Sequence, residues 1–114
     1  MGVADSKYID LASGLPRVAN NEKLYKKLVA KFEASVDVSA LDAALVSGNY
    51  IKAGEIVHAA KGVAGNLSLA AFYESSVILM DQLRSGNPPA QENVDAFKRL
   101  YAETVRAINI YIAE

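Results

Sequence analysis

Apolar side chains recur with a helical period along most of the chain. Leu24, Leu28 and Phe32 follow one another at four-residue steps, while lysines occupy the other faces of the same stretch. Such a one-sided stripe is typical of an amphipathic helix that packs its apolar face into a core. We therefore predict a helix over residues 20–36.

A shorter helix is predicted over residues 39–47. Ser39 and Asp42 stand three residues apart at its start, as in a short-armed capping box, and Gly48 is suited to end it. Asn49, directly after this glycine, can cap the next helix. Helices joined by so short a connection are expected to pack as antiparallel neighbours.

The next two helices share one pattern of inward positions. The first extends over about residues 49–66, and Ser68 is expected to cap the second, which continues to Gly86. Apolar or small residues return at steps of three and four in both, which places them on one side of each helix. These positions are Ala53, Val57, Ala60, Ala64 and Leu67 in the first helix, and Leu69, Phe72, Ser76, Leu79 and Leu83 in the second.

Asn87, Pro88 and Pro89 form the clearest break in the chain, because proline cannot continue a helix. Beyond them, a long helix of about residues 89–112 is predicted. Its apolar face consists of Val94, Phe97, Tyr101, Val105, Ile108 and Ile112.

Strand signals are missing from the sequence. No stretch alternates apolar and polar residues with a period of two, and no Asn-Gly or Asp-Gly hairpin turn occurs. Gly14 and Pro16 interrupt the N-terminal apolar pattern, so only one or two short helices are expected there. We predict an all-α protein, an antiparallel up-and-down four-helix bundle with short accessory N-terminal helices, in which residues 1–114 form one domain.

The amino-acid composition excludes several kinds of functional site. The 114 residues include no cysteine and one histidine, which excludes thiolate metal sites, thiol nucleophiles and clusters of several imidazoles. Twelve basic and thirteen acidic side chains leave a net charge of -1, which does not favour nucleic acid as a partner. No apolar run is long enough to cross a bilayer, so we expect a cytoplasmic protein without direct membrane contact.

The helical wheel places the one histidine, His58, on the outside of the bundle. Ala53 marks the centre of the core stripe, and His58 falls about 140° from it around the helix axis. Its neighbours at positions i−4, i+4 and i+7 are Gly54, Gly62 and Gly65. Each glycine inside a helix costs about 0.5–1 kcal/mol relative to alanine. Because the wheel puts them off the core stripe, we interpret them as clearance through which another macromolecule reaches the imidazole, and not as sites of close helix packing.

Lys61 lies one helical turn beyond His58. Its ammonium can pair with a phosphoryl group on the ring as a mobile point charge. An exposed histidine or lysine on a helix is, taken singly, most often a solvated surface residue. Their combination with the surrounding glycines favours a site that has an exposed nucleophile and a cation beside it.

Three stretches of the chain carry a family resemblance. They are the run from Val57 to Leu67 with its His-x-x-Lys-Gly core; the entry segment with Gly14, Leu15, Pro16, Arg17, Val18, Asn21, Glu22, Lys23, Leu24, Tyr25 and Phe32; and Leu41, Ala44, Leu45 and Gly48 between them. Over about residues 9–86 the chain resembles the histidine-containing phosphotransfer (HPt) domains of bacterial multistep phosphorelays, of the type attached to hybrid sensor kinases. Ala60, Ser68 and Leu69 depart from that family's usual residues, at positions that govern packing near the end of the site helix.

The resemblance implies a role for each residue near the histidine. His58 would be the phospho-accepting residue, Lys61 the phosphate-stabilising cation, and Gly62 and Gly65 clearance for a docking receiver domain. It also implies response-regulator receiver domains as partners, with the receiver supplying magnesium and the chain needing no cofactor of its own. The isolated domain is expected to be a monomer, and it is either free-standing or fused to a hybrid sensor histidine kinase.

The expected function is phosphorelay signal transduction by a phosphocarrier. The chain has no Gly-x-x-x-x-Gly-Lys loop or other nucleotide motif, so we expect no ATP-dependent kinase activity. Some family members place a polar residue against the second ring nitrogen, and Gln82 and Asn66 are candidates here. Two other functions stay open: a helical interaction module whose His58 face is never phosphorylated, and the phospho-accepting domain of a chemotaxis-type kinase.

Overall fold

The regular secondary structure is all helical, without strands, over residues 6–114, the part of the chain that the computed structural model describes. Within this part the α-helices are α1 Leu11–Gly14, α2 Glu22–Val29, α3 Val38–Val46, α4 Tyr50–Leu67, α5 Ala70–Arg84 and α6 Gln91–Ala113. Short 3₁₀ turns cover Leu15–Val18 and Glu33–Ser35. The predicted all-α class is confirmed, and residues 1–5 of the predicted domain lie outside the described residues.

Helices that are neighbours in the chain pack against each other: α3 on α4, α4 on α5, and α5 on α6, while α2 contacts both α4 and α6. Aromatic rings fill the core between them. The ring centroid of Phe72 lies 5.1 Å from that of Phe32 and 4.8 Å from that of Phe97. Edge-on and tilted aromatic pairs add to the stabilisation from burial alone. The helices around this core form a bundle, and contacts with α2, α3 and α5 hold α4 in it.

The helix predicted over residues 20–36 is wrong beyond residue 29, where α2 ends. The amides of Lys31 and Phe32 donate to carbonyls three residues back, which tightens the chain into 3₁₀-like turns. This tightening turns Phe32, which is fully buried, into the core. The long helices of the bundle are therefore α4, α5 and α6, and α2 is a shorter partner.

The predicted capping box of Ser39 and Asp42 is also wrong. Asp37 caps α3 instead, and its carboxylate accepts a hydrogen bond from a backbone N–H three residues on, at 2.9 Å. The stop at Gly48 is confirmed by a left-handed φ of 74°, which favours glycine. The cap at Asn49 is confirmed too, because its side chain accepts a backbone hydrogen bond in the first turn of α4.

Ser68 ends α4 and does not cap α5. Its φ of 58° is left-handed, and α5 begins after Leu69 without a side-chain cap. The end of α4 is held from outside the helix. The carbonyl of Leu67 accepts a hydrogen bond from the buried Tyr25 hydroxyl of α2, and the carbonyl of Ser68 accepts one from the Asp10 N–H at 3.0 Å.

The buried face of α6 differs from the prediction near its C-terminal end, where Ile112 is 37% exposed. Tyr111 points inward instead. Its ring packs edge-on against Tyr25 at 6.1 Å between centroids, and its hydroxyl donates to Glu22 at 2.9 Å. The contact with α2 thus decides which side of α6 is buried here. The buried residues of α6 are Val94, Phe97, Thr104, Ala107, Ile108 and Tyr111, and Tyr101 and Val105 are half-buried.

Candidate functional site

The core stripe predicted for α4 is confirmed. Ala53, Val57, Ala60 and Ala64 are fully buried, and His58 is exposed. Each residue of an α-helix is turned about 100° from the one before it, so burying this stripe leaves the side chain that follows Val57 outside the core. The imidazole therefore stands on the outer surface of a helix whose other side is fixed in the bundle.

Neither His58 nor Lys61 has a polar partner among residues 6–114. The imidazole takes part in no hydrogen bond there, and the ammonium forms no ion pair with a described carboxylate. Lys61 is half-buried, one turn from the ring along α4. Residues three apart on a helix are surface neighbours, with Cβ atoms about 5–6 Å apart. A free imidazole nitrogen and a free cation thus lie side by side.

A groove of about 650 Å³ between α4 and α5 begins beside His58. His58 is the last residue of α4 that lines it. Met80 and Leu83 of α5 give it an apolar floor, and Glu55 and Arg84 give it charged edges. The groove adjoins the exposed imidazole, so a partner that reaches the ring also meets apolar surface.

The three glycines near His58 are not equivalent. A methyl group added at Gly62 would meet no atom within 4 Å, so this position is open as predicted. Gly54 is buried, and a methyl group there would contact Met80 at 3.5 Å. A methyl group at Gly65 would lie 3.1 Å from the Tyr73 ring. The prediction that all three avoid helix packing is therefore wrong for Gly54 and Gly65, because α5 passes along that flank of α4.

Sequence reasoning missed the residues of α5 that border the site. Tyr73, which is 39% exposed, lies beside Gly65, and the half-buried Met80 lies beside Gly54. Helical spacing places the half-buried Val77 between them on the same edge of α5. The sequence did contain a signal for this second edge. Each of the three residues directly follows a residue of the buried stripe of α5, so they repeat its spacing of four and three residues. The core stripe itself, from Leu69 to Leu83, is buried as predicted.

A second groove of about 450 Å³ lies at the other end of the same flank, past Gly65. Tyr73 forms one wall, and Ser13, Arg17 and Ser68 supply polar groups. The entry segment thus approaches the end of α4 and places an exposed guanidinium near it. The sequence indicated Arg17 only as part of the family resemblance and gave no sign of this position.

Neither candidate for the second imidazole nitrogen contacts the ring. The side-chain carbonyl of Gln82 accepts a hydrogen bond from the Ala90 N–H at 2.9 Å, which ties the end of α5 to the start of α6. Asn66 is exposed two turns beyond His58 and makes no side-chain hydrogen bond with a described residue. The second nitrogen is thus free of protein partners from the described chain.

The described residues contain no group of three or more histidine, cysteine, aspartate or glutamate side chains placed to hold a metal ion. Among the same residues, no helix is both long and apolar enough to cross a membrane. Comparison of the chain with protein-family models, curated proteins and solved structures finds no match. The arrangement on α4 is therefore the basis for assigning a function.

Proposed function

We propose that the protein is a phosphocarrier of a phosphorelay: His58 accepts a phosphoryl group from an aspartate of one receiver domain and passes it to an aspartate of another. The proposal rests mainly on one observation: the chain's one histidine is exposed on α4, and Lys61 lies one helical turn from it. The ring has no described hydrogen-bond partner that would have to be displaced. The resemblance around the His-x-x-Lys-Gly core points to the same chemistry.

The transfer is a displacement at phosphorus. The lone pair of a neutral imidazole nitrogen attacks the aspartyl phosphate, a nitrogen–phosphorus bond forms, and the bond from phosphorus to the carboxylate oxygen breaks. The aspartate leaves as a carboxylate with the bonding electrons. The phosphorylated ring carries its proton on the other nitrogen, and transfer to the second receiver reverses these steps.

Lys61 supports this reaction through its charge. A phosphoryl group on His58 brings two negative charges to a surface where the nearby ammonium has no described carboxylate partner. Lysine acts as a point charge toward phosphate, so it can follow the group without a fixed geometry. Gly62 adds space on the exposed side, because no side chain stands there to block a docked receiver.

Other parts of the proposal concern the partners. Receiver domains supply magnesium and the acidic pocket, and this chain supplies the nucleophile, the cation and a surface to dock on. The domain has no ATP-dependent kinase activity. It acts in the cytoplasm as a monomer, free-standing or fused to a hybrid sensor kinase, and binds neither nucleic acid nor membrane.

The test is transfer from receiver domains of the genome that encodes the chain. Each receiver is charged with radiolabelled acetyl phosphate and magnesium, freed of the small donor, and mixed with the protein. We expect acid-labile label on the wild-type chain and none on His58→Gln. Lys52→Gln, which changes an exposed side chain on the same helix, is the matched control and should accept label normally.

Three results would contradict the proposal. Label retained by His58→Gln would place the phosphoryl group elsewhere. If the protein bound receivers but took up label from none of them, the helical interaction module would be indicated. Label that arrives from ATP through a kinase, but from no charged receiver, would indicate the phospho-accepting domain of a chemotaxis-type kinase.

A further inference from the structure

Glu55 lies on the side of His58 away from Lys61. It precedes the histidine by three residues on α4, is exposed, and lines the same groove as the imidazole. Residues three apart on a helix are surface neighbours, so the carboxylate is within interaction range of a group on the ring. The imidazole thus has a cation one turn toward the C-terminus of the helix and an anion one turn toward its N-terminus.

These two charges do not neutralise each other. Glu55 and Lys61 are six residues apart, which separates them by about 9 Å along the helix axis and about 120° around it. No ion pair joins them, and none joins Glu55 to Arg84 across the groove; the contact of Arg84 is with Asp81, at 3.9 Å. Among the described residues, Glu55 therefore forms no ion pair, and its side chain lies one helical turn from the histidine.

We infer that Glu55 raises the free energy of the phosphorylated state of His58 and so sets how readily the site gives its phosphoryl group away. The inference rests on the proposed function. Lys61 attracts the dianionic phosphoryl group and Glu55 repels it, because like charges at this spacing on a helix are destabilising. The opposing pair keeps the histidine from holding the group too tightly, which a carrier that must load and unload requires.

The effect concerns the equilibrium of one balanced reaction. Phosphohistidine and receiver aspartate exchange with imidazole and aspartyl phosphate, one nitrogen–phosphorus bond being broken for each oxygen–phosphorus bond formed. The equilibrium constant of the separated proteins depends only on their free states. Contacts between Glu55 and a docked receiver therefore cancel, and a shift in this constant reports the charge beside His58.

The experiment measures the partition of radiolabel between His58 and a receiver aspartate, after exchange is complete and at concentrations where the two proteins are dissociated. Glu55→Gln should shift label toward His58 by about two- to fivefold, the range for an exposed charge pair. Lys61→Gln should shift it the other way. Both shifts should shrink at high salt, because added ions screen exposed charges.

Glu92→Gln is the matched control. Glu92 is exposed in the first turn of α6 and does not line the groove, and the change removes the same charge from the protein as a whole. It should leave the partition at the wild-type value. Circular dichroism of all variants should match wild type, since a merely structural role of Glu55 would appear there.

The outcomes separate this inference from the proposed function. If the wild-type protein takes label but Glu55→Gln has the wild-type partition, the inference is overturned and the phosphocarrier stands. An equal shift in Glu92→Gln overturns the inference in the same way, because the effect would then be one of net charge. If the wild-type protein takes no label from any receiver, both are overturned.

Discussion

The Tyr73 ring of α5 lies over Gly65 of α4, so closely that a methyl group on Gly65 would come within 3.1 Å of a ring carbon. One turn closer to His58, Gly62 has no neighbour within 4 Å of the same methyl position. Two glycines on one flank of the same helix are thus under different structural constraints. Gly65 permits the close approach of α5, whereas the glycine at position 62 is not required by packing within the described chain.

The two glycines should therefore respond differently to alanine. Gly62→Ala should raise the free energy of unfolding by about 0.5–1 kcal/mol, because alanine has the higher helix propensity and no clash opposes it. Gly65→Ala makes Tyr73 shift, so it should be less stable than Gly62→Ala by about 1 kcal/mol. Urea unfolding measures both. Equal gains at the two sites would show that Tyr73 moves aside freely.

Tyr25 makes the stability of the bundle depend on pH in the alkaline range. Burial, and then the nearby Asp10 carboxylate, raise its pKa from 10.0 to about 12. A raised pKa favours the folded state below the unfolded value, so this contribution should be complete below pH 10 and be lost as the pH rises toward 12.

The comparison variant is Tyr25→Phe. It removes the ionisable group together with the hydrogen bond to the Leu67 carbonyl, at a cost of about 1 kcal/mol at neutral pH. Its stability should then fall less steeply than that of the wild type above pH 10. Some slope remains, because burial and the hydrogen bond to Glu22 also raise the pKa of Tyr111. Parallel curves from urea unfolding would contradict this role of Tyr25.

Thr104 offers a substitution that should stabilise the protein. Its hydroxyl is fully buried in α6 and has no hydrogen-bond partner among the described residues. A buried hydroxyl without a partner loses its hydration without compensation, at a cost of about 1–3 kcal/mol. Thr104→Val keeps the shape and removes this cost, so the urea midpoint should rise. A lower midpoint would mean that the hydroxyl has a bonding partner in solution.

The sequence predicted those parts of the fold that depend on one helix at a time. The stripe from Ala53 to Leu67 is buried as predicted because a helical period determines which side is apolar. The turn at Gly48 and the cap at Asn49 followed from local backbone chemistry. The exposure of His58 is the direct consequence of the same stripe.

Apart from the cap of α3, which Asp37 supplies, the parts that failed depend on contacts between helices. Whether Gly54 and Gly65 face solvent or a neighbour depends on the flank of α4 along which α5 passes. The periodicity of α4 alone does not indicate that flank. Ser68 is a good capping residue, yet the chain needs it in a left-handed conformation to end α4. Phe32 lies beyond the end of α2, and its fully buried ring packs against Phe72 of α5, a contact that the periodicity of α2 does not contain.

Lys61 should matter for phosphoryl transfer more than for folding. It is half-buried, so Lys61→Met keeps most of the packing of its stem and removes the charge. We expect the yield and lifetime of phosphohistidine to fall by about two- to fivefold, the range for one charge interaction at a protein surface, with the urea midpoint almost unchanged. Radiolabel decay after removal of the donor measures the lifetime. An unchanged yield and lifetime would show that the ammonium does not act on the phosphoryl group.

The central claim, that the phosphoryl group resides on His58, can be observed on one ring, because the chain contains a single histidine. Protein labelled with ¹⁵N-histidine is mixed with a charged receiver domain that transfers label, and the ring nitrogens are followed by NMR. We predict that one nitrogen signal moves to a new position and is split by coupling to ³¹P. Unchanged ring signals in a sample that has taken up phosphate would contradict the claim.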